Sequence, residues 1–187
     1  MQKAPCTDRV PGRGTDAGRA GFFRECIRLE QKYNIKNVTI SHALQTNGYA
    51  LNEEWCQFFA KNHFLIGLSV DGIKATHDLY RKDAAGKDTY FRVLESAKLL
   101  EAAGVEFNVL MVVNGKTASK IRRIYENFRK LGFSWQQYIA CLDPISERQG
   151  QEEYSLSPEM YGRFLIELFE LWDLDFTAGK TALYPPV

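Results

Sequence analysis

The stretch HFLIGLSVDGIKATHDLYR, residues 63–81, decides how this chain folds. Phe64-Leu65-Ile66-Gly67-Leu68 is an apolar run bounded by turn residues, the pattern of a parallel strand covered on both faces. Ser69, Asp71 and Gly72 follow directly, at the carboxyl end of that strand, which is where α/β folds place their ligands. A His-Asp-x-x-Arg segment, His77 to Arg81, comes next.

The same alternation extends in both directions. Upstream, Phe22, Phe23, Cys26, Ile27 and Leu29 trace one face of a helix from Gly21 to about Tyr33. Val38-Thr39-Ile40 opens a strand whose tip reads Leu44-Gln45-Thr46-Asn47-Gly48. Asn52 is placed to cap a helix carrying Trp55, Phe58 and Phe59 up to Asn62. Downstream, a polar loop from Asp83 to Asp88 leads to a helix over Phe91 to Ala103, stopped by Gly104. Phe107 to Val113 is nearly continuous in apolar residues and reads as a strand. Thr117 or Ser119 then caps a helix bearing Ile121, Ile124, Tyr125, Phe128 and Leu131, which Gly132 ends. A last strand over Phe133 to Ala140 closes at Cys141-Leu142-Asp143-Pro144, and Ser157-Pro158-Glu159 starts a helix to about Asp175.

Strands alternating with helices imply crossover connections and a parallel sheet or barrel. With 187 residues, the chain is short of the roughly 250 that a closed eight-strand barrel takes. The expectation is a short open sheet or an incomplete piece of a larger barrel.

Composition narrows the function classes. A net charge of +1 gives no excess for steering toward nucleic acid or an acidic membrane surface. No window approaches the run of about 18 apolar residues that suggests a membrane span, and the first residues lack a secretory layout. A cytoplasmic protein is expected, without nucleic-acid or membrane partners. The cysteines Cys6, Cys26, Cys56 and Cys141 are scattered, with no pair at metal-ligand spacing, and read as free thiols.

Three strand ends then carry a resemblance. Gln45-Thr46-Asn47-Gly48, Gly67-Leu68-Ser69-Val70-Asp71-Gly72 with His77-Asp78-Leu79-Tyr80-Arg81, and Cys141-Leu142-Asp143-Pro144 occur in the order and spacing of the radical S-adenosylmethionine enzymes. The chain most closely resembles the anaerobic sulfatase-maturating enzymes, and the helix from Tyr154 through Trp172 is similar to theirs too. The resemblance covers about residues 21–176. It implies an α/β fold, an incomplete (β/α)6 partial barrel of parallel strands, with S-adenosylmethionine and a 4Fe-4S cluster as cofactors and a sulfatase polypeptide as substrate. In that family a cysteine or serine of the sulfatase becomes formylglycine. Carried over by position, Ser69 and Arg81 resemble the pair that holds the methionyl carboxylate, Asn47 lies in the turn facing the same pocket, and Leu142 corresponds to a residue touching the adenine. The residue chemistry agrees, since a guanidinium forks onto a carboxylate and an adenine face accepts apolar contact.

The chain departs from the family in three places. The Cys-x3-Cys-x2-Cys cluster motif, the Gly-Gly-Glu-Pro segment and the C-terminal cluster domain are absent from the written sequence. Residues 1–20 read as an aberrant segment with a frame shift: if Arg9 to Ala17 is encoded CGC GTT CCA GGG CGG GGA ACC GAC GCT, reading one nucleotide later spells Phe-Gln-Gly-Gly-Glu-Pro-Thr. Those codons are a choice among synonyms, so sequencing the gene through this junction decides the point. The tail, 177–187, loses the pattern as well.

Plainer readings stand beside these. His42 and His63 cap or pack rather than bind metal, and His77 shapes the loop carrying Arg81 rather than transferring a proton. Asp71-Gly72 alone is turn chemistry, Cys141 is a buried thiol, and Arg122, Arg123, Arg129 and Lys130 form a solvated helix face. Two other functions remain open: a catalytically inactive half-barrel or binding module, and an unrelated small α/β enzyme. Exposed sheet edges predict self-association.

Overall fold

The computed structural model describes residues 16–144 and 150–180. The readings made of residues 1–15 and 181–187 lie outside them. The elements run α1 (Asp16–Tyr33), β1 (His42–Thr46), α2 (Glu53–Lys61), β2 (Phe64–Ser69), α3 (Lys74–Tyr80), α4 (Tyr90–Ala102), β3 (Phe107–Val113), a 3-10 turn (Ala118–Lys120), α5 (Ile121–Lys130), β4 (Gln136–Ala140) and α6 (Pro158–Thr177). The strands form one parallel sheet in the order β1-β2-β3-β4. The alternation of strand and helix is therefore the parallel α/β arrangement expected.

One face of the sheet makes the core. Phe64, Ile66 and Leu68 of β2, with Val70 just past its end, alternate inward with Val109, Met111 and Val113 of β3, and both rows are buried. They pack against Trp55 and Phe59 of α2, Val93 and Leu100 of α4, Ile121, Ile124 and Phe128 of α5, and Phe164 and Leu168 of α6. On the other face, among the described residues, Leu65 of β2 is 44% exposed, and Gly67 and Ser69 share its side by the two-residue period of a strand. Gly67 is needed there, because a Cβ would lie 2.7 Å from Leu110 Cδ1 and 3.2 Å from Gln45 Cγ, both of which cross that face.

Local sequence explains the ends. Asn52 caps α2 by accepting from the Trp55 amide at 3.0 Å. Ser157 caps α6, with Pro158 as its first residue. Gly104 and Gly132 terminate α4 and α5 at positive φ.

Several boundaries differ from the sequence reading. Helix α1 begins at Asp16, not Gly21, so the segment read as aberrant through residue 20 is helical over its last residues. Strand β1 begins at His42, because only there does pairing with Phe64 start; Val38 and Ile40 are 61% and 43% exposed. Strand β4 begins at Gln136, opposite Val109, and not at Phe133, whose ring turns into the core beside Phe128. Helix α3 has no counterpart in the sequence pattern. At seven residues it is too short to show a period, and its first turn is held by Thr76 Oγ1, which accepts from the Ile73 amide at 3.1 Å. Neither Thr117 nor Ser119 caps α5. Thr117 and Asn114 instead close the turn after β3 on each other's amides. The basic residues of α5 are only partly a solvated face: Arg122 and Arg129 reach Glu167 and Asp175 on α6.

Candidate functional site at the carboxyl ends of the strands

The parallel sheet brings the carboxyl ends of all four strands to one rim, and the residues singled out from sequence sit on it. Ser69 is the last residue of β2, half-buried, opposite Leu110 of β3. The chain leaves β2 with Val70 still bonded to the Leu110 carbonyl at 2.9 Å, and Asp71 follows. Asp71 is 6% exposed. Its Oδ1 accepts the Val112 amide at 2.9 Å, so the carboxylate stands in for a strand carbonyl where the β2–β3 ladder ends.

Arg81 is attached to that carboxylate. Its Nε donates to Asp71 Oδ2 at 2.5 Å and its Nη2 to Oδ1 at 3.3 Å. The connection between the two residues is closed from behind by His77, which is fully buried. The Asp71 amide donates to His77 Nδ1 at 3.1 Å, His77 Nε2 lies 3.1 Å from Thr89 Oγ1, and Thr89 Oγ1 donates to the Arg81 carbonyl at 2.9 Å. Because Nδ1 accepts and the Thr89 proton is already used, the His77 proton sits on Nε2. Burial drives the His77 pKa down to about 4, with Arg81 adding to the shift and Asp71 and Asp78 opposing it. His77 is a neutral structural bridge at physiological pH, as a loop-shaping role requires. Asp78 serves the same loop from α3, its Oδ1 accepting the Thr89 and Tyr90 amides at 3.0 and 2.9 Å and starting α4.

Asn47 lies in the turn after β1, exposed, its Oδ1 accepting the Tyr49 amide at 3.1 Å. Thr46 Oγ1 accepts the Gly48 amide in the same turn, and the Tyr49 hydroxyl reaches across to Asp83 Oδ2 at 3.2 Å. Leu142 follows β4 at the same end and is 78% exposed. The Cys141 amide before it extends the ladder to the Val113 carbonyl at 2.8 Å, and Asp143 after it accepts from Ser155 Oγ at 2.8 Å. Arg81 is thus fixed to Asp71, two residues along the chain from Ser69. Asn47 and Leu142 stand on the flanking strands, each on its own anchored turn.

In the sequence Asp71 stands at the strand end but reads by itself as turn chemistry, and Thr89 and Ser96 carry no motif. A signal for Asp71 was present: it lies one strand period beyond Ser69, on a segment that returns to the sheet with an arginine.

The donor set for an iron–sulfur cluster is another matter. Cys56 lies in the core with its thiol pKa raised by burial, Cys26 is on α1, and Cys141 follows β4. Among the described residues no three His, Cys, Asp or Glu side chains come together to hold a metal. The described residues therefore do not fit a cluster, while the rim presents a fixed guanidinium, a strand-end hydroxyl and an exposed leucine. No described helix is long and apolar enough to cross a membrane.

Comparison with known proteins bears on the same stretch. The profile of the Radical SAM superfamily matches residues 12–128. The chain is 43% identical over 159 residues to the cysteine-type anaerobic sulfatase-maturating enzyme of Clostridium novyi (strain NT), and 45% identical over 159 residues to that of Clostridium perfringens (strain 13 / Type A). These alignments cover 85% of this chain but 42% and 43% of the relatives. A serine-type enzyme from Bacteroides thetaiotaomicron is 34% identical over 165 residues, with 81% of this chain and 40% of that protein covered. Among solved structures, native anSMEcpe with bound AdoMet and Kp18Cys peptide superposes with a TM-score of 0.86 at 41% identity, covering 89% of this chain and 46% of that one. The chain spans less than half the length of these relatives. With a matching profile over most of its length and a parallel α/β sheet whose strand-end residues line one rim, the chain belongs to the radical SAM superfamily.

Proposed function

We propose that this chain is the S-adenosylmethionine-binding part of an anaerobic sulfatase-maturating enzyme, with its barrel portion over about residues 21–176. The observation that carries the reading is the Arg81 guanidinium fixed on Asp71 at the end of β2, two residues beyond Ser69. Arg81 and Ser69 would take the carboxylate of the methionyl part by charge-assisted bonds. Leu142 would offer apolar surface to the adenine, and the Asn47 turn would close the near side. S-adenosylmethionine, when bound, supplies the family's hydrogen-abstracting chemistry; what this chain's own described residues do is bind and orient it. The substrate in this reading is a sulfatase polypeptide, and the higher identity to cysteine-type relatives favours a cysteine as the residue oxidised to formylglycine. A reducing cytoplasm suits the thiols of Cys26 and Cys56, neither of which is in a disulfide.

Isothermal titration of S-adenosylmethionine into the wild-type chain, Arg81→Ala and Ser69→Ala tests the reading. Loss of a charge-assisted bond at Arg81 weakens binding by roughly tenfold to a hundredfold. Equal affinities for wild type and Arg81→Ala would remove Arg81 from the pocket, and no binding to wild type would end the reading.

A second reading, a half-barrel that binds the nucleoside without radical chemistry, is favoured by the scatter of the described thiols. Anaerobic reconstitution with iron and sulfide separates the two. The broad thiolate–iron absorption of a cluster would support the enzyme, and a spectrum unchanged from the untreated chain would support the binding module.

A further inference from the structure

We infer that Asp71 is the positioning residue of the rim: it holds the Arg81 guanidinium side-on, through Nε and Nη2, so that the Nη1 edge is the one presented to the ligand's carboxylate. This deepens the reading of the rim as an S-adenosylmethionine site and rests on it.

The bonds around Asp71 form a closed circuit. The Asp71 amide goes to His77, His77 to Thr89, Thr89 to the Arg81 carbonyl, and the Arg81 side chain returns to the Asp71 carboxylate. The carboxylate is itself fixed to the sheet by the Val112 amide. Both ends of the arginine are therefore held, its backbone by Thr89 and its guanidinium by Asp71. An arginine side chain carries a rotamer entropy of about 2 kcal/mol, and a ligand meeting a free one must freeze it. Here that ordering is already done by the fold, which is the condition for tight recognition by a small number of contacts.

The fork also sets geometry. A guanidinium has five N–H donors in one plane, and a carboxylate on the Nε–Nη2 side leaves Nη1 on the edge facing away from Asp71. The Arg81 side chain is 23% exposed and the Asp71 side chain only 9%, so solvent and ligand reach the arginine more than its partner. Asp71 has a second effect, because its charge offsets that of Arg81. A ligand is then selected by where its carboxylate lies more than by net negative charge.

Asp71→Asn separates these roles from a purely structural one. The side-chain oxygen of Asn can still accept the Val112 amide, but its amide nitrogen then faces Arg81 Nε donor to donor, and the guanidinium is released. The probes are S-adenosylmethionine and its decarboxylated analogue, titrated into the full chain. Wild type is expected to prefer the carboxylate-bearing form by about tenfold or more, the loss typical of a charge-assisted bond. In Asp71→Asn that preference shrinks to within about twofold, a change that general loosening, which weakens both probes alike, does not produce. A preference kept at its wild-type value in a folded Asp71→Asn would overturn the inference. A second measurement needs no ligand and no Asp71 variant. In a nitrogen-15 correlation spectrum of the wild type, assigned against Arg81→Lys, the Arg81 Nε–H signal is expected to persist at neutral pH with slow exchange. If it exchanges as fast as the exposed arginines do, Asp71 does not fix the guanidinium and the inference falls. Failure of the wild type to bind either probe would sink the S-adenosylmethionine reading itself, while the spectrum would still decide whether Asp71 holds Arg81.

Discussion

Ser96 on α4 donates its hydroxyl to the carbonyl oxygen of Gly48 at 2.6 Å, tying the turn that carries Asn47 to a helix far along the chain. Ser96 is fully buried, and Arg92 one helical turn earlier donates both to Ser96 Oγ and to the Leu51 carbonyl. The strand-end turn is thus clamped from beneath. Gly48 fits only because it is a glycine: its φ is +72°, and a Cβ would lie 2.5 Å from Leu68 Cδ1.

Ser96→Ala leaves the Gly48 carbonyl without its hydroxyl donor and should cost about 1–3 kcal/mol, the penalty of an unsatisfied buried group. Urea denaturation checks it, with a lowered midpoint at unchanged slope. A midpoint equal to that of wild type would show that the clamp carries no stability.

Most of this architecture is legible in the sequence because the strands are apolar runs and the longer helices have capped ends. Asn52, Ser157, Gly104 and Gly132 mark those ends by local chemistry alone. What escapes is set by partners distant in sequence. Val38 and Ile40 have strand-like side chains, yet pairing with β2 begins only at His42. Helix α3 is stabilised by Thr76, which binds backward to Asp71 and Ile73, and not by an apolar stripe. At the rim, Ser69, Arg81, Asn47 and Leu142 are reached by resemblance, whereas Asp71, Thr89 and Ser96 are not. Thr89 and Ser96 act only through bonds to Arg81 and Gly48 that no local pattern encodes, and Asp71 is marked only by its place one strand period beyond Ser69.

His77 makes the fold sensitive to acid. Its folded pKa is depressed from 6.5 to about 4, chiefly by burial, so between these values the unfolded chain binds a proton that the folded chain does not. Stability is therefore complete above about pH 6.5, falls as the pH drops toward 4, and does not fall further from this group below that. At one pKa unit per 1.36 kcal/mol, the loss is on the order of 2 kcal/mol at pH 5. Denaturation midpoints at neutral pH and pH 5 measure it, and His77→Gln should flatten the slope in that window. A slope unchanged in the variant would assign the acid sensitivity to other groups.

Asp175 locks α6 onto α5. It accepts from the Tyr125 hydroxyl at 3.1 Å and pairs with Arg129 Nε at 2.9 Å, while burial first, and then the Asp175 charge, push the Tyr125 pKa up to about 12. Asp175→Ala strands the hydroxyl and unpairs the arginine, and should destabilise by about 1–3 kcal/mol; Tyr125→Phe, which removes only a donor, should cost about 1. A double-mutant cycle between the two positions gives the coupling. Strict additivity would mean that the hydrogen bond contributes nothing.

The sheet order leaves β1 and β4 as edges among the described residues, each with one side unpaired in the ladder. Open edges beside exposed apolar side chains are templates for association, and Ile139 of β4 is 40% exposed on the face away from the core. Sedimentation velocity over a range of protein concentrations should show a rising weight-average coefficient. Ile139→Lys, which places a charge on the edge strand without touching the core, should suppress that rise. Native edges are protected by such charges because pairing with a second strand would bury an ammonium group at a cost of several kcal/mol. A coefficient independent of concentration in the wild type would show that the edges are not sites of association, and an equal rise in Ile139→Lys would move the contact to another surface.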